Sequence, residues 1–144
     1  MAKQSGNCVD KVLIAGAGVG GLTTALALHR AGIEVSIFEK YPAEQKRTTG
    51  FSLWSYAGRQ LEVLGLGPAK MKHVGCPIEQ TEIRNQTGQV ISRMPVGEVS
   101  RSLGCPSYET RRPNLLAALE AELPTGTVHR SIACIGARTS GDRA

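Results

Sequence analysis

The stretch Val12-Leu13-Ile14-Ala15-Gly16-Ala17-Gly18-Val19-Gly20-Gly21-Leu22 places a GxGxxG spacing directly behind an apolar, β-prone run. It reads as a strand, a tight turn and the start of a helix. Gly16 permits the sharp strand-to-helix turn, Gly18 leaves no Cβ to hold the backbone away from a phosphate, and Gly21 lets the helix lie close to the strand. The first amides of such a helix have no partner within it, and the aligned peptide dipoles make that end partly positive, so an anion is stabilised there. Gly16, Ala17, Gly18, Val19, Gly20 and Gly21 are therefore the candidate cradle for the pyrophosphate of a dinucleotide.

The residues that follow are in register with this reading. Leu22, Ala25, Leu26 and Leu28 recur at near-helical spacing, predicting a helix over 19–31 with Gly32 as its left-handed cap. Glu34-Val35-Ser36-Ile37-Phe38-Glu39 alternates and is rich in β-formers, predicting a second parallel strand with Glu39 at its carboxyl end, beside the ribose. A carboxylate there accepts hydrogen bonds from ribose hydroxyls and repels a 2′-phosphate, which favours FAD or NAD over NADP. Lys40 beside it weakens that exclusion slightly. The plainer reading, a glycine-containing turn with a surface glutamate, does not account for the order strand, turn, helix, strand, acid.

Composition bounds the rest. A length of 144 residues suits one domain large enough to bury a core. Hydrophobic residues make up 41%, yet no uninterrupted apolar run reaches the length of a membrane span, and the first residues hold no apolar leader region. The expectation is a cytoplasmic protein. Cys8, Cys76, Cys105 and Cys134 form no CxxC pair, and His29, His73 and His129 do not cluster with them, so neither a disulfide framework nor a zinc site is indicated. The net charge of +5 raises nucleic-acid binding, but the single Trp, three Tyr and two Phe are scattered and offer no stacking platform. We expect no nucleic-acid partner and a generally basic surface, with Arg111-Arg112 the one local concentration of charge.

Beyond Glu39 a polar loop over 41–49 leads into Gly50. Arg47 in that loop reads first as a solvated charge, although it is near enough in sequence to approach a cofactor. Leu61 and Leu64 predict a helix of two or three turns closed by Gly65 or Gly67. Residues 78–85 and 89–94 are β-prone about Gln86-Thr87-Gly88 and predict a hairpin. Pro113 suits the first position of a helix continuing over 114–123, and 127–135 is a further strand candidate. The expected organisation is a flexible start (1–10), an α/β domain (11–135) and a disordered tail (136–144).

Three separated segments carry a resemblance to a known family. The GAGVGGL turn with Glu39, the Gly50 segment ending in Gly58-Arg59-Gln60-Leu61-Glu62-Val63-Leu64-Gly65-Leu66, and Arg112-Pro113-Asn114-Leu115-Leu116-Ala117-Ala118-Leu119 together resemble the amino-terminal part of the FAD-dependent aromatic-ring monooxygenases, the p-hydroxybenzoate, salicylate and kynurenine hydroxylases. The third matches that family's Arg-x-x-Leu-x-x-x-Leu helix start. The resemblance implies a Rossmann-like βαβ FAD-binding domain with an inserted β-hairpin. It further implies that Gly16 to Gly21 cradle the FAD pyrophosphate, Glu39 holds the adenosine ribose, Leu53 lies along the cofactor and Arg112 faces the flavin. A guanidinium suits that last role, since it stays charged and offers several donors in a planar fork. Arg111 stands where many relatives have histidine, which leaves open which of the two neighbouring arginines faces the flavin.

In such enzymes NADH or NADPH reduces the flavin, which then activates oxygen to hydroxylate a small aromatic substrate; the cofactor carries the chemistry and the protein positions it. No catalytic side chain is named. The family fold is longer, with a later Asp-Gly segment, a second Gly-Asp motif and a substrate-pocket sheet; Gly141-Asp142 imitates the second motif only superficially. The chain is therefore expected to be incomplete relative to that fold, with an exposed sheet edge, weak FAD retention and no turnover alone. Two other readings stay open from the residues: an NAD-dependent dehydrogenase or reductase, and a non-catalytic nucleotide-binding remnant.

Overall fold

The computed structural model describes residues 9–43 and 49–138. Arg47, Cys8 and the Gly141-Asp142 pair lie outside the described residues. In chain order the elements are β1 (Lys11–Ala15), α1 (Val19–Arg30), β2 (Glu34–Glu39), β3 (Gly50–Leu53), α2 (Ser55–Val63), α3 (Pro68–Met71), β4 (Gly75–Pro77), β5 (Thr81–Arg84), β6 (Val90–Met94), α4 (Val96–Ser102), β7 (Tyr108–Arg111), α5 (Arg112–Ala121) and β8 (Val128–Arg130). They divide into two compact units, one from 1–46 with 119–144 and the other from 47–118.

The first unit is a βαβ arrangement extended by one late strand. β1 and β2 run parallel with Ile14 opposite Ile37, and β8 adds in parallel on the other side of β2, giving the order β1-β2-β8. α1 buries Leu22, Ala25 and Leu26, as the spacing predicted, while Leu28 is only half-buried. Each fully buried leucine contributes about 1.5–3 kcal/mol. The helix ends one residue earlier than predicted, with Ala31 as its cap and Gly32 at φ +80°. Ile14 and Ile37 share one face with the helix, since an atom added to Gly21 of α1 would lie 3.3 Å from Ile14 Cγ2. On the opposite face Leu13 is 61% exposed and Phe38 stacks on His129 at 5.1 Å.

The predicted strand over 127–135 is much shorter in the structure. Thr127 belongs to the turn before it, bonded through its amide and hydroxyl to the Pro124 carbonyl, and the strand stops at Arg130. Ser131 explains the stop. It adopts φ +59°, a left-handed conformation that extended pairing does not accommodate. Residues 132–138 have no regular structure, and 136–138 are exposed.

The second unit holds an antiparallel sheet of order β3-β7-β4 and the separate hairpin β5-β6. In β7, Tyr108 and Thr110 are buried while Glu109 and Arg111 face out, the period-two pattern of a one-sided sheet. α2 is closed by Gly65 at φ +88°, whereas Gly67 begins α3. The helix packs closely: a Cβ on Gly58 would lie 2.9 Å from Cys105 Sγ and 3.1 Å from the Pro106 carbonyl. The predicted hairpin is present with shorter arms, because Ile78 donates its amide to Ser107 instead of entering the ladder. α5 begins at Arg112, which puts Pro113 second rather than first in the helix.

A closed set of hydroxyls lies at the centre of this unit. Ser55, Ser100 and Ser107 are buried, their three oxygens 3.0–3.1 Å apart, and the Ser55 and Ser107 amides donate to Ser107 Oγ and Ser100 Oγ. The ring ties the start of α2 to α4 and to the segment before β7. Cys105 nearby is buried, and that burial pushes its thiol up, which leaves it an unreactive packing residue.

Candidate dinucleotide site

The turn between β1 and α1 has the geometry that its glycines suggest. Gly16 adopts φ +102°, and its amide donates to the Phe38 carbonyl at 2.8 Å, so the turn leans on β2. Gly21 stands so close to it that an added Cβ would meet the Gly16 carbonyl oxygen at 2.0 Å. Gly18 is the N-cap residue in extended conformation, and no side chain caps the helix. The first turn of α1 holds no acidic residue, so its amides and the positive end of its dipole are left for an anion. Around Gly20 an added Cβ would meet nothing within 4 Å.

Glu39, at the carboxyl end of β2, reaches back to this turn. One carboxylate oxygen accepts the Ala17 amide at 2.8 Å and the other accepts the Tyr41 amide at 2.9 Å. Burial works to raise its pKa, but the amides of Tyr41 and Ala17 and the charges of Arg130 and Lys40 outweigh burial, so the carboxyl is held below its ordinary value. A carboxylate has about four acceptor positions. With two of them held by backbone, the group is fixed in direction and keeps capacity for the paired hydroxyls of a ribose. Lys40 is exposed, its ammonium 4.8 Å from the centroid of the Tyr41 ring.

The structure thus brings Gly16 to Gly21 together with Glu39 and Lys40 in the first unit. Leu53 and Arg112 belong to the second. Leu53 is buried on β3, opposite Tyr108. Arg112 is half-buried at the junction of β7 and α5, where its amide donates to the Thr49 carbonyl at 2.7 Å, while Arg111 is exposed on the strand. Sequence reasoning missed Arg130. Parallel pairing sets it directly across from Glu39, and it forms an ion pair with Glu120 of α5. Nothing in local spacing signals this, because the pairing joins segments ninety residues apart in the chain. Among the described residues no cluster of His, Cys, Asp and Glu suits a metal ion, and no helix is long and apolar enough to cross a membrane.

Comparisons with known proteins follow the same lines. Residues 10–131 match the family model described as an FAD binding domain. The chain is 44% identical over 89 residues to the aurachin C monooxygenase/isomerase of Stigmatella aurantiaca, covering 62% of this chain and 23% of that protein. It is 33% identical over 90 residues to the 3-hydroxybenzoate 6-hydroxylase of Polaromonas naphthalenivorans, covering 62% and 22%. Among solved structures, HpxO of Klebsiella pneumoniae complexed with FAD and uric acid superposes with a TM-score of 0.71 at 22% identity, covering 84% of this chain and 30% of that one. The chain therefore spans less than a third of the length of each of these proteins.

Proposed function

The chain belongs to the FAD binding domain family, and from that premise we propose that it is the adenine-dinucleotide portion of an NAD(P)H-dependent flavoprotein monooxygenase that hydroxylates a small aromatic substrate. The observation that carries the proposal is Glu39, ionised and held by the Ala17 and Tyr41 amides at the end of β2, next to a glycine turn with an uncapped helix start. FAD is the dinucleotide of the family, and these residues suit it. Gly16 and Ala17, whose amides are held by the Phe38 carbonyl and the Glu39 carboxylate, would shape the cradle; Gly18, Val19, Gly20 and Gly21 would turn their backbone amides to the pyrophosphate, and Glu39 would accept the ribose hydroxyls with Lys40 at its flank. Leu53 and Arg112 are assigned to the cofactor by their match to the family's segments. Bound FAD supplies the redox and oxygen-activating chemistry; the chain's own residues bind and orient it.

The relatives' names support the substrate class, since one acts on 3-hydroxybenzoate and another is an aurachin C monooxygenase/isomerase. The exposed Leu13 on β1 supports a further reading, that the 144-residue chain alone holds FAD weakly and turns over no substrate. Titrating the chain with FAD while following flavin fluorescence, then adding NADH with aromatic candidates, tests both parts. Saturable quenching lost in Glu39→Ala is the expected result. Unchanged affinity in that variant removes Glu39 from the site, and substrate-stimulated NADH oxidation overturns the inactivity.

A further inference from the structure

Arg130 was given no role toward the ligand above, yet the fold aims it at the site. Ligands of open α/β sheets bind beyond the carboxyl ends of the strands. β8 runs parallel to β2, and its last residue, Arg130, pairs in register with Glu39, the last residue of β2. Residues directly opposite in a parallel pair project to the same face, so a cation and an anion stand side by side at the ligand end of the sheet. Glu120 of α5 holds the guanidinium through an ion pair, and both groups are about two-thirds buried. Two further constraints meet here. The Ile132 amide donates to the Glu39 carbonyl at 3.0 Å, and Ser131 at φ +59° turns the chain away directly after Arg130.

We infer that Arg130 is a positioning residue for Glu39: anchored by Glu120, it sets a fixed positive charge beside the carboxylate which, together with the Ala17 and Tyr41 amides, holds that group for the ribose of a bound adenine dinucleotide. This rests on the FAD reading above for its ligand, but the coupling between the two side chains does not. Among the described residues, the other charged or titratable groups around Glu39 are few. Lys40 and Tyr41 follow it in the chain, Glu120 pairs with Arg130, and His129 points to the opposite face, where it stacks on Phe38. Lys40 lies over the Tyr41 ring and is solvated, so among the described residues Arg130 is the braced cation next to the carboxylate.

The test separates the two claims. In the ligand-free chain, the carboxyl carbon of Glu39 is titrated by NMR in the native protein and in Arg130→Met, Arg130→Lys and Glu120→Gln. The midpoint is expected to rise by several tenths of a pH unit in Arg130→Met, to stay near native in Arg130→Lys, and to fall in Glu120→Gln, which frees the guanidinium to approach. If Arg130→Met does not fold, Glu120→Gln still decides. A purely structural ion pair would leave the Glu39 midpoint native in every folded variant, and that result overturns the inference. FAD titration adds the second arm: Arg130→Met is expected to bind several-fold more weakly than native protein. Loss of FAD affinity in Glu39→Ala with native affinity and native midpoint in Arg130→Met would remove Arg130 and leave the FAD reading standing. Native affinity in Glu39→Ala together with a shifted midpoint in Arg130→Met would establish the coupling and remove Glu39 from the FAD site.

Discussion

A Cβ placed on Gly21 would lie 2.0 Å from the carbonyl oxygen of Gly16 and 3.2 Å from its carbonyl carbon. Both partners are backbone, so neither can swing aside, and α1 would have to lift from β1. Gly21→Ala is expected to destabilise the chain by about 1–3 kcal/mol or more. Gly20→Ala, one residue away and facing open space, should instead gain about 0.5–1 kcal/mol from helix propensity. Urea denaturation of the two variants side by side checks this, and similar stabilities would mean that the helix does not depend on the close approach.

Glu39 makes stability depend on acid. Its folded pKa lies below the ordinary value of 4.5 because the Tyr41 and Ala17 amides and the Arg130 and Lys40 charges outweigh burial. A depressed carboxyl contributes fully above its unfolded pKa, and the contribution is lost as pH falls through the folded one. Urea midpoints of the native chain should therefore drop between roughly pH 5 and pH 3 more steeply than those of Glu39→Gln. Parallel profiles for the two proteins would contradict this.

The hydroxyl ring predicts a ranking. Ser107 Oγ accepts the Ser55 amide and Ser100 Oγ accepts the Ser107 amide, whereas Ser55 Oγ bonds only to the other two hydroxyls. Ser107→Ala and Ser100→Ala each strand a buried amide and should cost about 1–3 kcal/mol. Ser55→Ala leaves the two remaining hydroxyls bonded to each other and should cost least. A larger loss for Ser55→Ala in chemical denaturation would mean that the ring is not the determinant.

Leu13 is 61% exposed on β1, a strand that among the described residues pairs only with β2. Leu13→Lys should leave stability within about 0.5 kcal/mol and reduce self-association, read by light scattering across a concentration series. A loss of several-fold greater size would show that the leucine is covered in solution.

Legibility tracked the range of the interactions. The βαβ unit was readable because its signals are local: the glycines, the 3.6-residue spacing of Leu22, Ala25 and Leu26, and an acid at the end of the next β-rich run. The hairpin was readable for the same reason, with Gly88 at φ +83° in its turn. β4 was not, since Gly75-Cys76-Pro77 has little strand propensity and is held by Glu109 across the sheet, where a Cβ on Gly75 would meet the Glu109 carbonyl at 2.4 Å. α4 contains Gly97 and two serines, poor helix formers, and forms where the Glu79 carbonyl accepts the Gly97 amide and Arg101 pairs with the Glu79 carboxylate. In the site, Glu39 was legible from its position after the glycine turn. Arg130 was not, because only strand pairing brings it level with Glu39.

The first unit is written in two pieces, with residues 47–118 inserted between them. β8 can join β2 only after the whole intervening segment has been synthesised, so the entropy of closing that long loop falls on the pairing of β8. During synthesis β2 therefore waits with an open edge while the inserted unit, whose strands pair within its own span, can already fold. The order of these events on the ribosome is thereby set: the glycine turn and Glu39 emerge first, and the strand that pairs beside them follows only after the inserted unit.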